Sequence, residues 1–122
     1  MPLIDIIAGA RPNFMKITPI IRAIEDFKSH GKGLDYRLIH TGQHYDKKMS
    51  GDFFEQLGIP EPDLNLEVGS GTQAEQTGAI MICYEKVLLD KLSDVCLVVG
   101  DVTSTMACAI AAQKMGVAVA HV

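Results

Sequence analysis

The chain has 122 residues, of which 48% are hydrophobic and 21% charged, and its formal net charge is −4. A chain of this length and composition can bury a core as one globular domain. Its acidic balance, without any block rich in lysine and arginine, argues against nucleic-acid binding, and its apolar runs are too short to cross a membrane.

Strand and helix patterns alternate along the chain. The segment from Ile4 to Ala8 is a short apolar run, typical of a parallel strand that is covered on both faces. Further on, Thr72 and Glu75 have the spacing of a capping box at the start of a helix. The patterns predict strands at residues 3–8, 35–40, 64–68, 94–99 and 117–122, and helices at residues 12–30, 47–57, 72–91 and from 102 or 103 to 115.

This alternation predicts an α/β fold with a parallel sheet and helices on both of its faces. The first strand is not followed by a Gly-x-Gly-x-x-Gly fingerprint, and the chain has no Walker A lysine motif, which disfavours ordinary dinucleotide and P-loop chemistry. The sequence stops at Val122, at the end of a strand that looks central to the sheet. We therefore expect it to be a truncated domain.

The three cysteines, Cys83, Cys96 and Cys108, all lie in apolar segments. Their spacing fits neither a zinc site nor a redox pair, so we expect buried free thiols. Free thiols and an N-terminus without the features of a secretion signal predict a cytoplasmic protein.

Polar and charged groups follow three of the predicted strands, in residues 9–16, 41–44 and 100–105. The carboxyl ends of parallel strands meet at one edge of the sheet, and ligands of open parallel sheets bind in the crevice at that edge. The convergence of the three segments therefore predicts a binding site there.

Arg11 and Lys16 flank the start of the first predicted helix, and no acidic residue follows them before Glu25. Cations at this end oppose the helix macrodipole, and a bound anion such as a phosphate or sugar phosphate would offset that cost. The alternative is that both side chains are simply solvated.

Asp101 follows a buried strand and precedes three hydroxyl residues. It is either the N-cap of the next helix or a carboxylate that serves as a general base or acid. Gln43 and His44 either contact a ligand or hold their own turn in place. No group of His, Cys, Asp and Glu has the spacing of metal ligands, so no metal site is predicted.

The motifs Gly-Ala-Arg-Pro-Asn-Phe-Met-Lys at 9–16, Thr-Gly-Gln-His at 41–44 and Gly-Asp-Val-Thr-Ser-Thr at 100–105 occur in this order. Together they resemble the non-hydrolysing UDP-N-acetylglucosamine 2-epimerases, and segments 59–66 and 116–122 agree with that pattern. The commoner form of the family has Thr at position 10, Glu-Ala at 13–14 and Thr at 102, where this chain has Ala10, Asn13, Phe14 and Val102. These departures bear on the identity of the sugar.

The resemblance implies the GT-B arrangement of two Rossmann-like domains with the active site between them. Residues 1–122 would be a truncated N-terminal domain, and the C-terminal UDP-binding domain would be absent from this chain. In the family, the last strand continues into a segment with a catalytic glutamate, immediately after the place where this chain ends. Residues 1–122 alone are therefore expected to be inactive.

The resemblance also implies a reaction and roles for individual residues. The complete enzyme would interconvert UDP-N-acetylglucosamine and UDP-N-acetylmannosamine, a precursor for cell-surface polysaccharide, by elimination and re-addition of UDP without metal or other cofactor. Asp101 would be the acid/base or substrate-positioning carboxylate, and Arg11 and Lys16 would contact the sugar-phosphate region. Gln43 and His44 match a family segment that is associated with a second, regulatory UDP-N-acetylglucosamine.

Other functions remain open from the residues themselves. A hydrolysing UDP-sugar epimerase or a GT-B glycosyltransferase would share the fold and the nucleotide-sugar ligand, and a non-enzymatic flavodoxin-like binding module would share the sheet. The expected partners are a UDP-sugar substrate and, for the full-length protein, a second copy in a homodimer, with neither nucleic acid nor a membrane.

Overall fold

The computed structural model of the chain describes residues 2–9, 11–31, 33–41, 55–56, 58, 61–68, 71–100 and 103–122, and of residue 11 only the backbone. Along this part of the chain the elements are β1 (Leu3–Ala8), α1 (Arg11–Ser29), β2 (Asp35–His40), β3 (Leu64–Asn65), α2 (Gln73–Asp90), β4 (Val95–Val98), α3 (Thr103–Lys114) and β5 (Ala118–His121). The helix predicted at 47–57 lies almost entirely outside the described residues. Within that range the structure describes only Glu55 and Gln56, and both are helical.

The strands form one parallel sheet in the order β3-β2-β1-β4-β5. β1 therefore lies at the centre, and the chain moves outward first to one side through β2 and β3 and then to the other through β4 and β5. This order and the parallel pairing confirm the predicted α/β fold with a Rossmann-like sheet. The reversal of direction beside β1 creates the crevice at which ligands of such sheets bind.

The two faces of the sheet carry separate hydrophobic clusters. Ile6 packs with Phe14 and Ile17 of α1 on one face, while its neighbour Ile7 packs with Ile80 of α2 and Ala107 of α3 on the other. Consecutive strand residues point to opposite faces, so β1 is buried from both sides. Helices therefore cover both faces, as the alternation of elements predicted.

The boundaries of most elements agree with the sequence patterns to within one or two residues. The capping box is present, since the Thr72 hydroxyl accepts from the Glu75 N–H and the Glu75 carboxylate accepts from the Thr72 N–H. This backbone hydrogen bond lowers the pKa of Glu75. The edge strand predicted at 64–68 is the exception, because it ends at Asn65.

The early end of β3 has a local cause. The Asn65 side chain accepts a hydrogen bond from the N–H of Glu67 at 2.9 Å, which forms a turn two residues after the strand. Glu67 has a φ of 57°, a left-handed conformation that non-glycine residues seldom adopt. This turn ends the regular strand pairing. The chain nevertheless stays beside β2, since the N–H groups of Leu66 and Val68 donate to the carbonyls of His40 and Thr41.

The apolar run of β1 contains one charge that the pattern did not single out. Asp5 is fully buried, and its carboxylate accepts hydrogen bonds from Arg37 Nε at 2.6 Å and Nη2 at 2.9 Å, and from the Tyr84 hydroxyl at 2.7 Å. Arg37 Nη2 also donates to the carbonyl of Lys91 at 3.1 Å. Asp5 and Arg37 together thus join β1, β2, α2 and the turn that leads to β4.

The cysteines are free thiols, as expected, and Cys96 and Cys108 are buried while Cys83 is half-buried. Burial raises the pKa of Cys96 to about 12 and that of Cys108 well above its ordinary value. The folded chain therefore keeps both thiols protonated at neutral pH, which is the behaviour of inert core residues.

We expect the Arg37→Met substitution to destabilise the chain strongly, because it leaves the Asp5 carboxylate buried without its cation. Breaking a buried ion pair in this way costs about 3–5 kcal/mol. Urea unfolding of the chain measures the change in the free energy of unfolding.

The matched control is Lys28→Met, which removes an exposed ion pair between Lys28 and Asp35 at 3.2 Å. Pairs of that kind contribute at most about 1 kcal/mol. Equal losses in the two variants would contradict the structural role assigned to Asp5.

Candidate functional site

The carboxyl end of β1 is where three segments of the chain approach most closely. A Cβ atom built on Gly9 would lie 2.8 Å from the Cβ of Ser104 and 3.3 Å from the Thr41 hydroxyl oxygen. Ser104 belongs to the first turn of α3, and Thr41 directly follows β2. Only a residue without a side chain allows α3 to begin this close to the end of β1.

Asn13 holds the turn between β1 and α1. Its side-chain oxygen accepts a hydrogen bond from the Gly9 N–H at 2.9 Å, and the residue is 7% exposed. A Cβ built on Gly100 would lie 3.7 Å from Asn13 Nδ2, so the same amide also lies beside the turn between β4 and α3. Asn13 thus lies between two of the three segments that the sequence predicted to converge.

The N-termini of α2 and α3 are joined side chain to side chain. The Thr103 hydroxyl donates to Gln73 Oε1 at 3.0 Å, and the Thr105 hydroxyl donates to the carbonyl of Val99 at 2.6 Å. Helix N-termini present unpaired N–H groups and partial positive charge. The start of α2 is therefore fixed to the edge of the sheet at which α3 also begins.

The last strand adds a further group to this edge. His121 Nε2 lies 2.6 Å from the carbonyl oxygen of Gly100. Two backbone hydrogen bonds reinforce this contact. The Val122 N–H donates to the carbonyl oxygen of Val98 at 2.9 Å, and the Gly100 N–H donates to the carbonyl oxygen of Val122 at 3.3 Å. The end of β5 thus contacts the turn that leads directly to Asp101.

The predicted site residues differ in how far the structure describes them. Asp101, Gln43 and His44 lie outside the described residues. Arg11 is the first residue of α1, at the carboxyl edge of the sheet, and Lys16 lies on the exposed side of the same helix. Their predicted roles remain predictions.

The spacing of the two cations limits how they could bind one ligand. At 3.6 residues per turn, Arg11 and Lys16 are separated by roughly 140° around the axis of α1 and by about 7.5 Å along it. One anion could contact both only if it lay over the N-terminal end of the helix. An anion at this position would also receive the favourable end of the helix dipole.

Sequence reasoning did not assign a role to the residues that build the edge itself. Asn13 was noted only as a departure from the commoner family motif, and Ser104 and Gln73 were not singled out. A local signal exists for Asn13 alone, because a short amide side chain near a helix start often accepts a hydrogen bond from a nearby backbone N–H. The contact between Gly9 and Ser104 spans 95 positions and has no local signal.

Among the described residues, no group of three or more His, Cys, Asp and Glu side chains is placed to hold a metal ion. In the same part of the chain, no helix combines the length and the apolar character that a membrane span requires.

We expect Gly9→Ala to destabilise the chain by about 1–3 kcal/mol, the usual cost of forcing extra volume into a packed site. The double variant with Ser104→Gly removes the obstructing side chain and should recover most of the loss. Thermal unfolding of the single and double variants measures this coupling.

Gly33→Ala provides the control, because a Cβ there would meet no atom within 4 Å and its backbone lies outside the left-handed region. This change should leave stability nearly unaltered. A double variant no more stable than Gly9→Ala alone would refute the proposed clash.

Comparison with known proteins agrees with this geometry. The family model described as UDP-N-acetylglucosamine 2-epimerase matches residues 26–122. The UDP-N-acetylglucosamine 2-epimerase of Methanocaldococcus jannaschii is 46% identical over 119 residues, which are 98% of this chain and 31% of that protein. The UDP-2,3-diacetamido-2,3-dideoxy-D-glucuronate 2-epimerase of Pseudomonas aeruginosa is 43% identical over 116 residues, 95% of this chain and 32% of the relative.

A solved structure shows the same fold. The crystal structure of the Methanocaldococcus jannaschii UDP-GlcNAc 2-epimerase in complex with UDP-GlcNAc and UDP superposes with a TM-score of 0.86 at 45% identity. The match covers 100% of this chain and 32% of the solved chain. The chain therefore spans about a third of the length of the relatives that it matches.

Proposed function

The chain belongs to the UDP-N-acetylglucosamine 2-epimerase family, and we propose that the full-length protein interconverts UDP-N-acetylglucosamine and UDP-N-acetylmannosamine. The observation that carries this proposal is the match of the whole chain to an epimerase solved with UDP-GlcNAc and UDP, at 45% identity. The full-length protein is then an isomerase, and its product is a precursor for cell-surface polysaccharide.

The reaction we propose proceeds by elimination and re-addition. A base removes the proton at carbon 2 of the sugar while the bond between carbon 1 and UDP breaks, which leaves a glycal and free UDP in the site. UDP then adds back at carbon 1, and a proton is delivered to the opposite face of carbon 2. Atoms balance without an external reactant, and the cleft must retain both intermediates.

We assign roles to three residues of this chain. Asp101 would be the carboxylate that accepts or donates the proton or positions the sugar. Arg11 and Lys16 would stabilise the diphosphate, on which negative charge develops as the carbon–oxygen bond breaks. The position of Arg11 at the start of α1 supports this assignment, since the helix dipole there favours an anion.

Gln43 and His44 would contact a second UDP-N-acetylglucosamine with a regulatory role. The neighbouring Thr41 is buried at the end of β2, beside Gly9. A ligand held by the segment after Thr41 would therefore lie close to the catalytic edge.

The remainder of the full-length protein would supply the C-terminal UDP-binding domain of the GT-B arrangement. The active site would lie in the cleft between the two domains, and residues 1–122 alone would be inactive because nothing closes the cleft. The free thiols of Cys83, Cys96 and Cys108 support a cytoplasmic location, where cysteines stay reduced.

A second candidate function is the 2-epimerisation of UDP-2,3-diacetamido-2,3-dideoxy-D-glucuronate. The Pseudomonas aeruginosa enzyme of that name is 43% identical to this chain, close to the 46% of the Methanocaldococcus jannaschii enzyme. The two substrates differ at carbons 3 and 6 of the sugar and share the bond that reacts. The elimination mechanism therefore applies to both.

Proton NMR of the full-length enzyme with each nucleotide sugar tests the proposal. We expect UDP-N-acetylmannosamine to form from UDP-N-acetylglucosamine, and deuterium from D₂O to appear at carbon 2, because the proton leaves and returns through the solvent-exchangeable base. Asp101→Asn should lower kcat by about 10²–10⁴-fold, the usual contribution of a positioned acid or base.

The possible results discriminate between the candidates. Turnover of the diacetamido glucuronate alone would favour the second function, and release of free N-acetylmannosamine would indicate a hydrolysing epimerase. Epimerisation without deuterium at carbon 2 would refute the elimination mechanism.

We propose that the full-length protein is a homodimer and that α2 provides part of the contact. Ile82 and Leu89 are 59% and 68% exposed on one stripe of this helix, with Glu85 and Lys86 between them. A twofold axis midway between residues 85 and 86 would place Ile82 against Leu89 of the partner subunit and Glu85 against Lys86 of the partner subunit. The stripe is thus complementary to itself, as a twofold interface requires.

Light scattering coupled to size-exclusion chromatography of the full-length protein tests this arrangement. Leu89→Glu should convert the dimer into a monomer by placing a charge in the apolar contact. Glu85→Lys should weaken the dimer, and adding Lys86→Glu should restore it by exchanging the two signs. A dimer indifferent to all of these changes would show that α2 does not form the interface.

A further inference from the structure

At the carboxyl edge of the sheet, the side chain of His121 contacts the backbone of Gly100, and the proposed function assigns no role to this contact. It is the last residue of β5, and its Nε2 lies 2.6 Å from the carbonyl oxygen of Gly100. From this geometry we infer that His121 is a positioning residue, which holds the Gly100 carbonyl and thereby the peptide group that leads into Asp101. The inference rests on the proposed function, in which Asp101 accepts or donates the proton or positions the sugar.

The contact determines the tautomer of the ring. A carbonyl oxygen can only accept, so Nε2 must carry the hydrogen and donate it.

Gly100 needs an external restraint because of its own conformation. Its φ of 72° lies in the left-handed region, which glycine enters freely and leaves as freely. A Cβ built on it would have Asn13 Nδ2, at 3.7 Å, as its only neighbour within 4 Å among the described residues. Among the described residues, Asn13 is thus the only side chain close to the open side of this glycine.

The end of β5 supplies the restraint from both sides of the residue. The Gly100 N–H donates to the carbonyl of Val122, and the Gly100 carbonyl accepts from His121. The N–H contact is long, at 3.3 Å, while the histidine contact is short, at 2.6 Å. The shorter bond acts on the carbonyl, which shares a planar peptide unit with the nitrogen of the next residue.

The position of the base matters for the proposed reaction. Removing a proton from carbon 2 requires the base within hydrogen-bonding reach, and a misplacement of 1 Å can cost about 10²-fold in rate. Loss of the restraint should thus lower kcat while leaving KM nearly unchanged, since the proposed diphosphate contacts, Arg11 and Lys16, belong to α1 rather than to this turn.

Three substitutions in the full-length protein separate positioning from proton transfer. Glutamine extends an amide N–H to about the reach of Nε2, whereas asparagine reaches only as far as Nδ1. We expect His121→Asn and His121→Leu to lower kcat by about fivefold or more, the equivalent of one hydrogen bond of ordinary strength, with KM within about twofold. His121→Gln should restore kcat to within about twofold of the parent and keep its pH profile.

Two kinetic outcomes would overturn the inference. If His121→Gln loses as much activity as His121→Leu, the imidazole itself takes part in the reaction. If all three variants keep the parental kcat, the hydrogen bond has no role in positioning.

Hydrogen exchange keeps the inference testable apart from catalysis. The Gly100 amide should exchange faster in His121→Leu than in the parent and should be protected again in His121→Gln. If the parent turns over neither nucleotide sugar, the proposed function fails, and exchange alone decides whether His121 restrains the turn. Equal exchange in all variants would refute the restraint itself.

Discussion

The absence of a side chain at Gly9 is the constraint on which the candidate site depends. The end of β1, the residue after β2 and the first turn of α3 meet there, and a single Cβ would occupy the volume of the Ser104 side chain. Asn13 closes the same turn by accepting from the Gly9 N–H. Close packing at this point brings the starts of α1 and α3 together, so groups distant in sequence can act on one ligand.

A second constraint acts inside the sheet. Asp5 and Arg37 form a buried pair between β1 and β2, and Tyr84 connects the same carboxylate to α2. Burying a charge is costly unless it is paired, so any shift in strand register would leave Asp5 without its partners. We infer that this pair selects the register that brings the carboxyl ends of β1 and β2 level, and the edge at which the candidate site lies is thereby aligned.

Local patterns were sufficient to predict the fold class and, apart from the end of β3, the elements of the described part of the chain. Periodicity and the capping box of Thr72 and Glu75 predicted α2 almost to the residue, because helix starts depend on side chains three positions apart. The buried Asp5 and the contact of Gly9 with Ser104 depend on partners far along the chain, and the sequence carries no local sign of either. The early end of β3 was missed because the Asn65 turn overrides an otherwise regular strand pattern.

The predicted site residues came from motifs rather than from geometry, and the fold gives a reason for their distribution. The first turn of α2 contains Glu75, which already occupies the positive end of that helix, whereas the first turns of α1 and α3 contain no acidic residue. Arg11 begins α1, and Asp101 lies two residues before α3.

The N-termini of α1 and α3 therefore differ in the charge of the residues that lie beside them in the sequence. Cations at α1 add to a dipole that already attracts anions, which suits a departing diphosphate. A carboxylate just before a helix start is favoured by the dipole of that helix, which would suit the role proposed for Asp101. In the proposed reaction, leaving-group stabilisation would thus belong to the start of α1, and the role of the carboxylate to the segment that precedes α3.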